Sequence, residues 1–99
     1  MYAIIIDLNT ETLAKTYPDS SSNNAYTDIR SKLDSYGFTW KTGGVYFGNE
    51  KVNAVTCTIA AMDLARSFPW FVSSVRDIRM LRIEEQNDLR PAINHSPNK

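Results

Sequence analysis

The sequence predicts an α+β domain of the ferredoxin-like βαββαβ type: a four-stranded antiparallel sheet, two helices on one face, and a short C-terminal element. Three observations carry that expectation. Two apolar segments, Tyr2–Leu8 and about Val75–Glu84, have the content of strands. Two stretches between them repeat apolar residues at helical spacing. Two short aromatic runs, Phe38-Thr39-Trp40 and Val45-Tyr46-Phe47, flank Lys41-Thr42-Gly43-Gly44, whose double glycine reads as a hairpin turn.

Tyr2–Leu8 is a continuous, isoleucine-rich run, which suits a strand covered on both faces. Residues 9–24 are polar and interrupted by Pro18, so a long loop is expected, with a helical turn around Glu11–Thr16. Asn23 or Asn24 is placed to cap a helix that carries Ala25, Ile29, Leu33 and Tyr36 on one stripe, widened by Tyr26, and Gly37 ends it. After the hairpin, a second helix is expected over about Lys51 to Ser67. Its inward face would be Val52, Val55, Ile59 and Met62, and Pro69 would stop it. Trp70-Phe71-Val72 reads as a bulky connector into the last strand. Residues 1–90 are thus expected to form one domain, and 91–99 a flexible tail.

Composition narrows the function. Eleven basic and eleven acidic side chains cancel, so no global field steers nucleic acid or membrane. The balance is local: Arg66, Arg76, Arg79 and Arg82 face the single acid Asp77, whereas Asp7, Glu11 and Asp19 face Lys15. One cysteine, Cys57, rules out an internal disulfide and a thiol-rich metal site. No apolar run approaches the roughly 20 residues of a membrane span, and the expected compartment is the cytoplasm.

Several blocks of the chain resemble the virulence-associated protein D (VapD) family of small bacterial proteins. They are Met1-Tyr2-Ala3-Ile4 with Asp7-Leu8, Ala25-Tyr26-Thr27-Asp28-Ile29-Arg30, Tyr36-Gly37-Phe38 and Gly43-Gly44-Val45-Tyr46. The most specific is Trp70-Phe71 followed by Ser74-Val75-Arg76-Asp77-Ile78-Arg79 and Arg82-Ile83-Glu84. The resemblance implies a homodimer, related in fold to the nuclease-like protein of CRISPR spacer acquisition. It also implies endoribonuclease activity as the toxin of a toxin–antitoxin pair, with a cognate antitoxin as partner. Its implicated acids map onto Asp7 and Asp77. A serine after the hairpin glycine is also implicated, and here that position is Gly44.

RNA cleavage through the 2′-hydroxyl needs a base, a proton for the leaving oxygen, and cations for the phosphorane charge. His95 near the C-terminus reads as a solvated histidine rather than the base. Asp7, ending an apolar strand, is a base, a Mg²⁺ ligand shared across a dimer, or a structural acceptor for loop amides. Strand alternation places Asp77 and Arg79 on one side and Arg76 and Ile78 on the other. Asp77 either borders the Asp7 site with Arg79 or pairs with Arg79 or Arg30 to fasten the sheet. Arg76 and Arg79 are the candidate phosphate contacts. Tyr2 and Tyr46 either stack on bases or belong to core or dimer interface. Trp40 and Trp70 are expected to pack, and Cys57 to be a small buried filler.

The expected function is therefore an endoribonuclease cleaving single-stranded RNA, homodimeric, with Mg²⁺ as a possible cofactor. The competing expectation is a non-catalytic homodimeric protein-interaction module in which Asp7 is structural.

Overall fold

The computed structural model describes residues 1–95. The first strand, β1, is Tyr2–Leu8, as expected. The following segment is more ordered than a loop. Asn9 accepts a hydrogen bond from the Thr12 amide at 3.0 Å and so caps a short helix, α1 (Thr10–Thr16), which buries Leu13. The chain beyond it is pinned by the Tyr17 hydroxyl, which donates to Asp28 at 2.6 Å.

Helix α2 spans Asn24–Asp34 and buries Ala25, Ile29 and Leu33, the expected stripe. Asn23 occupies the cap position without capping through its side chain, while the Asn24 amide turns to Asp19. Gly37 follows at a φ of +94°. Strands β2 (Phe38–Thr42) and β3 (Val45–Gly48) form the hairpin, and Gly43 takes the left-handed turn position with φ +51°.

Helix α3, Ala54–Ser67, starts later than expected because Asn53 and Thr56 form a reciprocal capping box. Its buried residues are Cys57, Ala60 and Leu64. The predicted inward stripe is reversed: Val55, Ile59 and Met62 are exposed, and of that set only Val52, ahead of the helix, is buried. The helix carries apolar residues on two sides, and the side with small residues wins the sheet because it lets the backbones approach. Pro69 does not merely stop α3. It opens a further helix, α4 (Pro69–Ser74), which buries Trp70 and Phe71 where a connector was expected.

Strand β4, Val75–Arg82, completes an antiparallel sheet of order β2-β3-β1-β4. This is the ferredoxin-like arrangement, with β1 in the interior and β4 at an edge. Ile4, Ile6 and Leu8 of β1, with Phe38 and Tyr46, face the helices in one core cluster with Ile29, Leu33, Leu64 and Trp70. The tail expected from residue 91 contains a short, wholly exposed helix, α5 (Arg90–Asn94), led by Pro91, with His95 exposed just beyond it. Residues 96–99 lie outside the described part.

Candidate functional site

The two acids singled out from the sequence meet on the face of the sheet that the helices leave open. Asp7 pairs directly with Asp77 across β1 and β4, and the same face carries Ile5 opposite Arg79 and Ala3 opposite Leu81. Register then slips: Leu8 pairs with Val75, so Arg76 is an extra residue on β4. A bulge of this kind re-aims a side chain. The alternation expected for Arg76 therefore fails at this one position, and its Nε comes within 3.9 Å of an Asp7 oxygen. Arg79 Nε donates to Asp77 at 2.9 Å. Two carboxylates and two guanidinium groups thus form one neutral patch.

These side chains are open to solvent, from 45% exposed at Asp77 to 72% at Arg79. Exposed pairs of this kind are worth about 0–1 kcal/mol, so a phosphate can take the guanidinium groups from the carboxylates at small cost. Asp7 donates nothing to and accepts nothing from the loop amides around α1. The N-cap role there belongs to Asn9.

The tyrosines are not part of this patch. Tyr46 pairs with Ile4 on the helix side of the sheet and is 2% exposed, so its ring has no face to offer a stacked base. Burial pushes its hydroxyl pKa up. Tyr2 is also on the helix side, half-buried against the core and opposite Arg82 at the far end of β1. The five residues from Tyr2 to Asp7 separate them by about 16 Å. Arg30 does not approach Asp77. Its guanidinium lies 4.1 Å from the ring centre of Trp40, and Trp40, 39% exposed, donates from Nε1 to the Gly43 carbonyl. Trp40 is thus a surface residue supporting the hairpin, whereas Trp70 packs in the core as expected. Cys57 is buried, and its thiol pKa is raised by desolvation, which suits a filler and not a nucleophile.

Among the described residues, no three His, Cys, Asp or Glu side chains come together. Asp7 and Asp77 are nevertheless a donor pair of the kind that holds Mg²⁺ jointly with a substrate phosphate and waters. Bound there, the ion would neutralise phosphate charge.

One neighbouring feature was not legible in the sequence. A cavity of about 270 Å³ opens beside Asp7, lined also by Thr10, Tyr26, Gly43, Gly44 and Tyr46 over an apolar floor of Ile6, Leu8 and Ile29. Gly44 lies against β1, its carbonyl accepting from the Ile6 amide at 2.8 Å. A β-carbon at Gly44 would fall far inside van der Waals contact with the Ile6 carbonyl oxygen. Glycine is required at this position by close backbone approach.

No protein-family model matches the chain. Curated relatives do. Endoribonuclease VapD 2 of Riemerella anatipestifer is 46% identical over 93 residues, covering 94% of this chain and 99% of the relative. The chain belongs to the VapD family. A VapD homolog of Helicobacter pylori, also named an endoribonuclease, is 47% identical over 93 residues, 94% of this chain and 96% of its own length. A second Helicobacter pylori protein, Endoribonuclease VapD, is 39% identical over 88 residues. With both chains covered nearly end to end, the VapD relationship spans β1 through β4. Among the described residues no helix is long and apolar enough to cross a membrane.

Proposed function

We propose that this chain is an endoribonuclease that cleaves single-stranded RNA at the open-face acidic pair. The observation that carries the reading is the direct pairing of Asp7 with Asp77, each facing an arginine. The Asp7 carboxylate takes the proton of a ribose 2′-hydroxyl. That oxygen forms a bond to phosphorus as the bond to the 5′-oxygen breaks, and the departing oxygen takes a proton from water. The products are a 2′,3′-cyclic phosphate and a free 5′-hydroxyl. Arg76 and Arg79 swing from their carboxylates to the phosphate as charge builds on it. Asp77 holds Arg79 oriented until substrate arrives.

The biological setting that fits is the toxin of a toxin–antitoxin pair, acting as a cytoplasmic homodimer neutralised by a cognate antitoxin. A second reading, the non-catalytic interaction module, draws its support from the exposed apolar row of α3.

The test is cleavage of a labelled single-stranded RNA by wild type and Asp7→Asn, with Mg²⁺ and with EDTA. Loss of a general base costs about 10²–10⁴ in rate, so cleavage by Asp7→Asn is expected to fall at least a hundredfold. The thermal midpoint should hardly move, because the Asp7–Arg76 contact is long and exposed. Equal cleavage by both proteins would remove Asp7 from the mechanism. No cleavage by either would favour the interaction module, and the EDTA lane decides the role of Mg²⁺.

A further inference from the structure

The cavity beside Asp7 has the makings of a recognition pocket. Its floor, Ile6, Leu8 and Ile29, is apolar, and Thr10, Tyr26 and Tyr46 line it with polar groups available. That combination marks small-ligand sites, where apolar walls supply affinity and a few convergent polar groups set orientation. Its volume, about 270 Å³, suits a single planar group the size of a nucleobase rather than a larger cofactor.

The tyrosine hydroxyls support this use. Two tyrosine hydroxyls outside the cavity are engaged, Tyr17 with Asp28 and Tyr36 with Asp63. Among the described residues, the Tyr46 hydroxyl has no such partner, although the side chain is almost wholly buried. Among the described residues no fully buried side-chain nitrogen or oxygen is left unpaired, so this hydroxyl keeps some access to solvent, and Tyr46 lines the cavity. A hydroxyl both donates and accepts, so it can read the hydrogen-bonding edge of a base.

We infer that this cavity binds the nucleobase of one unpaired nucleotide, the one whose 2′-hydroxyl is presented to Asp7, and so sets the sequence preference of cleavage. Single-stranded RNA is read in this way, by bases splayed out of the stack into pockets. Asp7 lines the pocket at the end of β1, where β3 gives way to the Gly43-Gly44 turn. A base seated on the helix side over Ile6 and Ile29 therefore passes its ribose round the strand end to reach the open-face carboxylate. Tyr46, which cannot stack on a base with its ring, contributes through its hydroxyl. The inference rests on the ribonuclease reading for its consequence, though the pocket itself does not.

Two measurements separate the two ideas. Cleavage of an RNA with a randomised segment is mapped by sequencing for wild type, Tyr26→Phe and Tyr46→Phe. Both substitutions keep the rings and remove only the hydroxyls. Wild type is expected to favour one base on the 5′ side of the cut, and the ratio of preferred to other bases should fall at least fivefold in one or both variants, whatever the total rate. An unchanged ratio in both variants overturns the pocket and leaves the ribonuclease standing. Binding of the four nucleoside 3′-monophosphates and of inorganic phosphate is measured in parallel by NMR chemical-shift titration of wild type. One nucleotide is expected to bind at least tenfold more tightly than phosphate, shifting Thr10, Ile29 and Gly44 amides. Nucleotides that bind no better than phosphate overturn the pocket. Base-selective binding without cleavage would retain the pocket and sink the ribonuclease.

Discussion

At the residue scale, the chemistry of individual side chains was legible only where it depends on local sequence. Asp77 and Arg79 share a face because strand alternation puts them there, and the β1–β4 register adds Asp7 to it. The position of Arg76 was not legible, since a bulge arises from the pairing of two distant strands. Tyr46 failed as a stacking residue for the same reason, because its register against Ile4 turns it toward the helices. Electrostatics away from the site follows the same pattern. Asp63 on α3 accepts from the Tyr36 hydroxyl at 2.6 Å and from Ser67 at 2.8 Å, with Lys32 at 3.6 Å. These bonds, the Tyr36 hydroxyl foremost, hold its carboxyl below the ordinary 3.8. A carboxylate depressed by folding stabilises the native state above its unfolded pKa, and the contribution fades as pH falls through the lower folded value. Asp63→Asn is therefore expected to lower the thermal midpoint at pH 7, and the gap to wild type should narrow from about pH 4 downward. A gap that stays constant to pH 2.5 in paired thermal melts would show that Asp63 is not titrating against these partners.

At the scale of elements, strands and the two long helices followed from periodicity, while the short helices did not. The α1 segment is polar and too short to show a stripe. The α4 run is apolar throughout, so no period could mark it as helix. The face of α3 was misread because size outvoted fit: Val55, Ile59 and Met62 are more apolar than Cys57 and Ala60, yet the smaller residues face the sheet. The hairpin teaches a related lesson. The resemblance implicates a serine at position 44. Here the close approach of Gly44 to the Ile6 backbone forbids it. Gly44→Ser is expected to lose about 1–3 kcal/mol through overpacking against backbone that cannot rotate away. For a domain of this size each kcal/mol is worth about 4–8 °C, so calorimetry should show a midpoint at least 4 °C lower. RNA cleavage should fall with it, since the hairpin walls the cavity beside Asp7. A stable variant with higher activity would mean that the hairpin yields, and that the hydroxyl is the missing catalytic group.

At the scale of the whole molecule, the layering explains why a single copy leaves apolar surface over. One sheet with helices on one side gives a slab only 19 Å through its thinnest dimension. A helix on the outside of such a slab needs one apolar stripe, and α3 has two. The outer row, Val55, Ile59 and Met62, is exposed, and Met80 and Leu81 are exposed on edge strand β4. Met62 and Met80 line the same cavity of about 250 Å³ with Ile4 and Cys57, so the α3 row continues onto Met80 on the helix side of β4, while Leu81 lies on the open face. A two-fold contact would bury the α3 side against its own copy, residue for residue. Because β1 lies inside the sheet, flanked by β3 and β4, such a dimer keeps the two Asp7 sites apart, each complete within its own chain. The double variant Ile59→Lys, Met62→Lys places two charges in the proposed contact and none near Asp7. It is expected to halve the mass measured by light scattering after gel filtration, while each monomer keeps its fold by circular dichroism. If the mass stays that of a dimer, the contact lies elsewhere, and the open face carrying Ile5, Phe47 and Leu81 becomes the surface to substitute next. In that geometry the two acidic pairs would face each other, and cleavage would depend on protein concentration. The α3 contact predicts that cleavage per chain is unchanged on dilution.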